Sequence, residues 1–255
     1  MKPVRQHILK TEIFRFRQFA INQSGAAMKV GTDGMLLGAW VKPGNAETIL
    51  DIGTGTGLLA LMLAQISLAR IDAIEIDENA FLQAKENFDN SPWKDRLYAI
   101  HTSLQSLSEN NTKKYDLIIG NPPFFEIANE EKGNNPIKMN KTRAVARATD
   151  SLPLEDLAKC SAKLLSREGK LYIILPIQSA DNFISLANNY GLRLQEILSI
   201  KSREDTKTIR VIMGFGFNKP NQVIENEFVI YDIINKYSAE YIELTKEYHS
   251  KDFSV

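Results

Sequence analysis

The chain of 255 residues is poor in the side chains that build metal centres and disulfide frameworks. It has one cysteine, Cys160, and its three histidines, His7, His101 and His249, are scattered without the spacing of metal ligands. A single cysteine excludes an internal disulfide and a multi-cysteine zinc site. We therefore expect no structural metal. Because Cys160 lies in a helix-like pattern, we expect it to be a small buried hydrophobic residue.

The sequence also lacks net charge, internal repeats and long apolar runs. The 31 basic residues balance the 31 acidic ones, so any site for a polyanion must be a local patch. No stretch approaches the roughly 20 apolar residues that a membrane-spanning helix needs, and the first residues do not resemble a secretion signal. We expect a cytoplasmic protein without a membrane partner. The sequence leaves its oligomeric state open.

Strand-like and helix-like segments alternate along the chain. Strand-like runs occupy residues 48–52, 70–76, 96–101, 116–119 and 170–175, and helix-like segments occupy residues 58–66, 79–89 and 154–165. This alternation predicts an α/β fold with a mostly parallel sheet and helices on both faces. Two later runs, 194–202 and 206–217, predict an antiparallel hairpin at the sheet edge.

A glycine-rich turn follows the first predicted strand. Asp51 is followed by Gly53, Gly55 and Gly57. Glycines let the backbone bend tightly and approach a ligand, and the helix that starts at Leu58 adds free N–H groups and a positive dipole end. A dinucleotide fingerprint would need a glycine at position 58, so an oxidoreductase is disfavoured. The alternative to a ligand site is a glycine-rich turn that binds nothing.

An acidic pair ends the next predicted strand. Glu75 lies where a carboxylate accepts hydrogen bonds from both ribose hydroxyls of a nucleoside, and it would repel a 2′-phosphate. A solvated strand end is the alternative. We predict that Asp77 caps the helix that follows.

An Asn-Pro-Pro-Phe string, Asn121, Pro122, Pro123 and Phe124, closes the apolar run before it. The Asn121 carboxamide oxygen and a backbone carbonyl beside Pro122 can accept both hydrogens of a planar amine. Phe124 offers a flat face for a conjugated ring. Such a site aims the nitrogen lone pair at an electrophile without a strong base. A sharp turn with a packed phenylalanine is the alternative.

Together these motifs resemble a known family of enzymes. The glycine turn resembles the first motif of class I S-adenosylmethionine-dependent methyltransferases, and Asn-Pro-Pro-Phe resembles the fourth motif of those that act on conjugated nitrogen. Further strings lie at residues 14–19, 27–40 and 90–93. With them the chain, from about Phe14 onward, is similar to the bacterial tRNA1(Val) (adenine-N6)-methyltransferases, which modify adenine-37, just 3′ of the anticodon.

The resemblance implies a Rossmann-like class I methyltransferase fold with a seven-stranded sheet, S-adenosylmethionine as cofactor and a tRNA as substrate. It also implies that Lys29, Thr32 and Asp33 line the amino-acid end of the cofactor; alternatively or in addition, Asp33 caps a helix. The acidic residue that usually contacts the cofactor's adenine amine is missing here, and Ser103 or Gln105 are candidates to replace it.

Basic residues suggest where RNA binds. One group follows the Asn-Pro-Pro-Phe string and a second lies near the amino terminus, with a possible extension on the predicted hairpin. The first group is Lys138, Lys141, Arg143 and Arg147, with Lys132; the second includes Arg15 and Arg17; the extension is Lys201, Arg203, Lys207 and Arg210. A solvated charged surface is the alternative for all of them.

We therefore interpret the chain as one methyltransferase domain. Residues 1–46 would form an extension that contacts cofactor and RNA, and residues 125–150 a substrate-binding loop. The predicted reaction is N6-methylation of an adenosine in a tRNA anticodon loop. The alternatives are a guanine-N2 methyltransferase of ribosomal RNA, a glutamine-N5 methyltransferase of protein, and a non-catalytic RNA-binding factor on the same fold.

Overall fold

The computed structural model describes residues 12–24, 29–110, 112–122 and 152–249. The strands are β1 (Ile13–Arg15), β2 (Ala20–Asn22), β3 (Thr48–Ile52), β4 (Arg70–Glu75), β5 (Leu97–His101), β6 (Tyr115–Gly120), β7 (Leu165–Pro176), β8 (Arg193–Lys201), β9 (Thr208–Gly216) and β10 (Ile224–Val229). The helices are α1 (Thr32–Trp40), α2 (Leu58–Ile66), α3 (Glu78–Asp89), α4 (Leu104–Asn110), α5 (Leu154–Leu164), α6 (Ile177–Asn189) and α7 (Ala239–Thr245).

The main sheet has eight strands in the order β10-β8-β9-β7-β6-β3-β4-β5, and β1 and β2 form a separate antiparallel pair. Strands β7, β6, β3, β4 and β5 run parallel to one another, whereas β9 is antiparallel to both β7 and β8. This confirms the predicted mostly parallel α/β fold and the β8–β9 hairpin.

The prediction of seven strands with the hairpin at the edge needs one correction. Strand β10 adds in parallel to β8, so the hairpin lies one strand inside the edge. Four of the six β10 residues are exposed and only Phe228 is buried. An edge strand with this exposure lacks the apolar pattern from which strands are predicted.

Other differences concern one strand start and several elements that the sequence did not predict. Strand β7 begins at Leu165, five residues before the predicted start, because the polar stretch before Lys170 hides its pattern. The β1–β2 pair and helices α4, α6 and α7 were not predicted either. The remaining predicted elements agree with the structure to within one or two residues.

The sheet is buried on both faces, and alternate residues of each strand face opposite cores. Ile49 of β3 packs with α1 and α2, whereas its neighbour Leu50 packs with α5 and α6 on the other side. Burial on both faces explains why these strands are continuously apolar. Cys160 belongs to the second core and is buried, as predicted.

Parallel pairing brings the carboxyl ends of the central strands to one edge. Ile52 of β3 pairs with Ile74 of β4 and with Gly120 of β6, so Gly53, Glu75 and Asn121 all lie at this edge. Ligands of open α/β sheets bind here.

Candidate active site

The glycine turn joins β3 to α2 in a left-handed conformation. Gly53, Gly55 and Gly57 have φ values of 65°, 57° and 86°. A Cβ atom on Gly53 or Gly55 would have no heavy atom within 4 Å, whereas one on Gly57 would lie 2.5 Å from Cε1 of Phe88. The first two glycines therefore border open space that a ligand can fill, and the third is required by packing.

Asp51 supports this turn from below. Its Oδ2 accepts hydrogen bonds from Thr54 Oγ1 (2.6 Å) and from the Ala60 backbone N–H (3.2 Å). Burial raises the pKa of Asp51 to about 7, against the lowering effect of these bonds. Its Oδ1 is buried and accepts no hydrogen bond from any described residue. One carboxylate oxygen at the turn is thus left with unused acceptor capacity.

Glu75 holds the turn from the side. Its Oε2 accepts from the Gly55 N–H (2.9 Å), and its Oε1 accepts from the N–H groups of Ile76 (2.9 Å) and Asp77 (3.0 Å). A carboxylate offers about four lone-pair sites. Three are used by the backbone, so one site, on Oε2, remains for a further donor.

The neighbouring polar residues have helix-capping roles. Asp77 Oδ1 accepts from the Ala80 N–H at 2.8 Å, which confirms the predicted cap of α3. Ser103 Oγ accepts from the Ser106 N–H (3.1 Å) at the start of α4. Gln105 instead donates to Asp156 Oδ2 of α5 at 3.0 Å. Of the two candidates for the adenine contact, Gln105 thus bonds a side chain of α5, whereas Ser103 caps α4 two residues after the end of β5.

Asn121 follows β6 directly and is half-buried. A Cβ atom on Gly34 of α1 would lie 3.8 Å from Asn121 Nδ2 and 2.8 Å from Leu58 Cδ2. The starts of α1 and α2 therefore meet beside Asn121. Pro122 is buried, and Pro123 and Phe124 lie outside the described residues.

Helix α1 approaches α2 closely through two glycines that the sequence interpretation had not used. A Cβ on Gly38 would lie 2.6 Å from Met62 Sδ, one turn beyond the Gly34–Leu58 contact. The Gly-x-x-x-Gly spacing places both glycines on one helix face. This spacing was an available signal for the contact that brings α1 to the site.

The string at residues 29–33 uses its charged side chains within the protein. Lys29 Nζ forms an ion pair with Glu12, and Asp33 Oδ2 accepts from Arg210 Nε of β9 at 3.0 Å. Thr32 is the first residue of α1 and is half-buried. The possible cap role of Asp33 is wrong: the cap position is Gly31, and Asp33 lies inside the first turn.

The predicted RNA-binding residues are only partly described. Arg15 is exposed on β1, and Arg17 lies 3.7 Å from Glu247. Lys132, Lys138, Lys141, Arg143 and Arg147 lie outside the described residues. In the possible extension, Lys201, Arg203 and Arg210 form ion pairs with Glu227, Asp205 and Asp33. These carboxylates reduce the positive potential that an RNA backbone would meet there.

The described residues contain no group of three or more His, Cys, Asp or Glu side chains that could hold a metal ion. Within the same ranges, none of the helices is both long and apolar enough to cross a bilayer.

Comparison with known sequences gives one family model over half of the chain and relatives over more than nine-tenths of it. The family described as methyltransferase small domain matches residues 24–152. The tRNA1(Val) (adenine(37)-N6)-methyltransferase of Trichodesmium erythraeum (strain IMS101) is 47% identical over 242 residues, covering 93% of this chain and 98% of that protein. A protein of the same name from Flavobacterium psychrophilum is 44% identical over 241 residues, covering 94% of this chain and 100% of that protein.

Comparison with solved structures gives the same fold. A predicted O-methyltransferase from Agrobacterium tumefaciens matches with a TM-score of 0.63 at 16% identity, covering 88% of this chain and 100% of that chain. The CcbJ methyltransferase of Streptomyces caelestis matches with a TM-score of 0.53 at 12% identity, covering 73% and 96%. These likenesses confirm the Rossmann-like methyltransferase fold.

Proposed function

The chain belongs to the tRNA1(Val) (adenine(37)-N6)-methyltransferase family, and we propose that it methylates N6 of adenine-37 in the anticodon loop of a tRNA. The observation that carries the proposal is the position of Asn121. Asn121 directly follows β6, and β6 lies beside β3, the strand that leads into the glycine turn. An acceptor for an amine and a turn for a cofactor thus share one edge of the sheet.

The residues at this edge fit S-adenosylmethionine. Open space beside Gly53 and Gly55 leaves room for it, and the spare Oε2 site of Glu75 suits a ribose hydroxyl. Asp51 is fully buried and would act by supporting the turn. Ser103 would lie near the adenine, and Lys29, Thr32 and Asp33 would lie near the amino-acid end. When bound, S-adenosylmethionine supplies an electrophilic methyl group.

Asn121 would hold and orient the substrate amine. Its carboxamide oxygen and a carbonyl beside Pro122 accept the two N–H groups, which weakens conjugation of the nitrogen with its ring. Asn121 is neutral and does not remove the proton, which passes to water once the N–C bond has formed at the expense of the donor's C–S bond. Pro123 would fix the turn, and Phe124 would stack on the base.

An adenine in a stacked loop must be splayed out to reach Asn121, and an unpaired base costs less to move than a paired one. We assign phosphate contacts to Lys138, Lys141, Arg143, Arg147, Arg15 and Arg17. In this proposal residues 125–150 form the substrate loop, residues 1–46 form the extension, and the reaction takes place in the cytoplasm, where tRNA is found.

The test is incubation of the protein with labelled methyl donor and RNA from cells that lack the gene, followed by nucleoside analysis. Label in N6-methyladenosine, confined to a tRNA with adenine-37, is the expected result. Label in N2-methylguanosine of ribosomal RNA, or in protein glutamine, would assign the site to the alternative amines. Absence of transfer to any acceptor, with cofactor still bound, would favour a non-catalytic RNA-binding factor.

Asn121→Ala tests the role of the amide in the same assay. We expect transfer to fall at least a hundredfold while the Kd for S-adenosylhomocysteine changes less than threefold, since the amide positions substrate rather than cofactor. Asn110→Ala, at the exposed end of α4, is the matched control and should change neither quantity. Equal loss of binding and transfer in Asn121→Ala would make this residue structural.

A further inference from the structure

The β1–β2 hairpin is joined to the glycine turn by one buried side chain, Asn87 of α3. Its Oδ1 accepts from the Asn22 backbone N–H at 2.9 Å, and its Nδ2 donates to the Asn22 carbonyl at 2.9 Å. The same Nδ2 donates to the carbonyl of Thr56, between Gly55 and Gly57, at 2.9 Å. One amide thus contacts β2 and the turn simultaneously.

Asn87 satisfies Asn22 in the way that a neighbouring strand would. It receives the N–H and caps the C=O of the same residue, and both its own N–H groups are used. The side chain is 3% exposed, so water cannot take over these bonds without rearrangement of the structure. The turn and the hairpin therefore share a buried polar link.

Packing contacts reinforce the link on each side. The ring of Phe88 fills the space beside Gly57, next along α3. On the hairpin side, Phe16 stacks on Phe19 with ring centroids 4.3 Å apart, and Phe19 meets Trp93 edge-on at 5.7 Å. The aromatic residues of the strings at residues 14–19 and 90–93 thus dock the hairpin.

We propose that Asn87 is a positioning residue that couples docking of the β1–β2 hairpin to the shape of the glycine turn. The affinity for S-adenosylmethionine then depends on the backbone of Asn22. This residue belongs to the β1–β2 pair, whereas the turn follows β3 of the main sheet. This inference rests on the proposed function in one respect, namely that the glycine turn holds the cofactor.

A pair of substitutions at Asn22 isolates the coupling. Asn22→Pro removes the N–H that Asn87 accepts and leaves the Thr56 bond untouched, and proline is tolerated in edge strands. Asn22→Ala removes only the side chain, which bonds Glu86 and Ser24, and keeps both backbone bonds. The measured quantity is the Kd of S-adenosylhomocysteine by calorimetry. Tryptophan fluorescence, to which Trp93 contributes together with Trp40, monitors hairpin docking.

We expect Asn22→Pro to weaken S-adenosylhomocysteine binding about tenfold, the scale of one buried hydrogen bond, and Asn22→Ala to weaken it less than twofold. At saturating cofactor, kcat should be recovered, because the effect is on binding. Equal affinities for the two variants, with the fluorescence of the wild type, would overturn the coupling.

A second pair decides the matter if Asn22→Pro does not fold. Asn87→Ala should weaken binding more than tenfold, whereas Asn90→Ala, whose amide bonds only Glu86 of its own helix, should not. Equal binding by this pair also overturns the coupling. If the wild type itself does not bind S-adenosylhomocysteine, the proposed function fails. If the wild type binds it and the variants bind it equally well, only the coupling fails.

Discussion

The glycine turn and the start of α1 both carry residues that the sequence assigns to the cofactor, but they use them differently. In the turn, Asp51 accepts from the Thr54 hydroxyl and Glu75 from the Gly55 N–H, while Gly53 and Gly55 border open space. At the start of α1, Lys29 and Asp33 are paired with Glu12 and Arg210. The first region is a cradle shaped by its backbone, and the second is a helix start anchored by its side chains.

The largest effect is expected at Gly57. Gly57→Ala combines a left-handed φ with a contact of 2.5 Å to the buried ring of Phe88, which should cost roughly 2 to 5 kcal/mol and abolish S-adenosylhomocysteine binding. Gly44→Ala is the control, because Gly44 has a φ of 56° but open space at its Cβ; about 1 kcal/mol is expected there. Urea unfolding and calorimetry measure both, and equal losses would show that packing against Phe88 is unimportant.

The next largest effect is expected at Asp51, in the pH dependence of the free energy of unfolding. Since burial raises the pKa of Asp51 to about 7 from an ordinary 3.8, the folded state holds this proton more tightly than the unfolded state. Stability of the cofactor-free protein should therefore fall as pH rises from about 4 to 7. Asp51→Asn keeps an acceptor for Thr54 and Ala60 and does not titrate.

Between pH 5 and pH 8, the free energy of unfolding of Asp51→Asn should improve relative to the wild type by about 2 kcal/mol. Urea titrations at the two pH values give this difference directly. Parallel pH profiles for the two proteins would mean that Asp51 is ionised throughout the range.

A smaller effect, with an informative sign, is expected at Arg210. Arg210→Ala should cost about 1 kcal/mol or less in stability, because the pair with Asp33 is partly exposed. It should weaken S-adenosylhomocysteine binding about threefold by loosening the start of α1. The more exposed pair of Arg203 with Asp205 supplies the control, Arg203→Ala. Tighter binding by Arg210→Ala would instead show that Asp33 must be released to meet the cofactor.

The smallest effect is expected at Lys29. Its pair with Glu12 is exposed, so Lys29→Ala and Glu12→Ala should each change stability by less than about 1 kcal/mol. Because the proposal places Lys29 near the amino-acid end of the cofactor, Lys29→Ala alone should weaken S-adenosylhomocysteine binding, by about twofold. Calorimetry with both variants measures this difference, and equal affinities would show that Lys29 serves only the pair with Glu12.

The comparison also shows why some features were predictable from sequence. The glycine turn and the Asp77 cap depend on residues within a few positions of each other, and local spacing reports them. The partner of Asp33 is 177 residues away, and Asn87 bonds residues 65 and 31 positions away. Such pairs are set by packing of distant elements, which one sequence does not specify.

Strand β10 illustrates a second limit. Its exposed Glu225, Asn226 and Glu227 suit an edge that must not pair with other chains, and the same residues remove the apolar alternation of a strand. The polar residues that protect an edge strand from pairing therefore also make that strand hard to predict from sequence.

The isolated bridge between Phe16 and His249 has a consequence for biosynthesis. Together with the bond from the Arg17 N–H to the Tyr248 carbonyl at 2.9 Å, it attaches the β1–β2 hairpin to residues made more than 200 positions later. On the ribosome, the hairpin lacks these contacts until synthesis has passed residue 249. Since Asn87 links the hairpin to the glycine turn, the nascent chain would acquire full affinity for its methyl donor only after that point, when the substrate-binding segments have also been made.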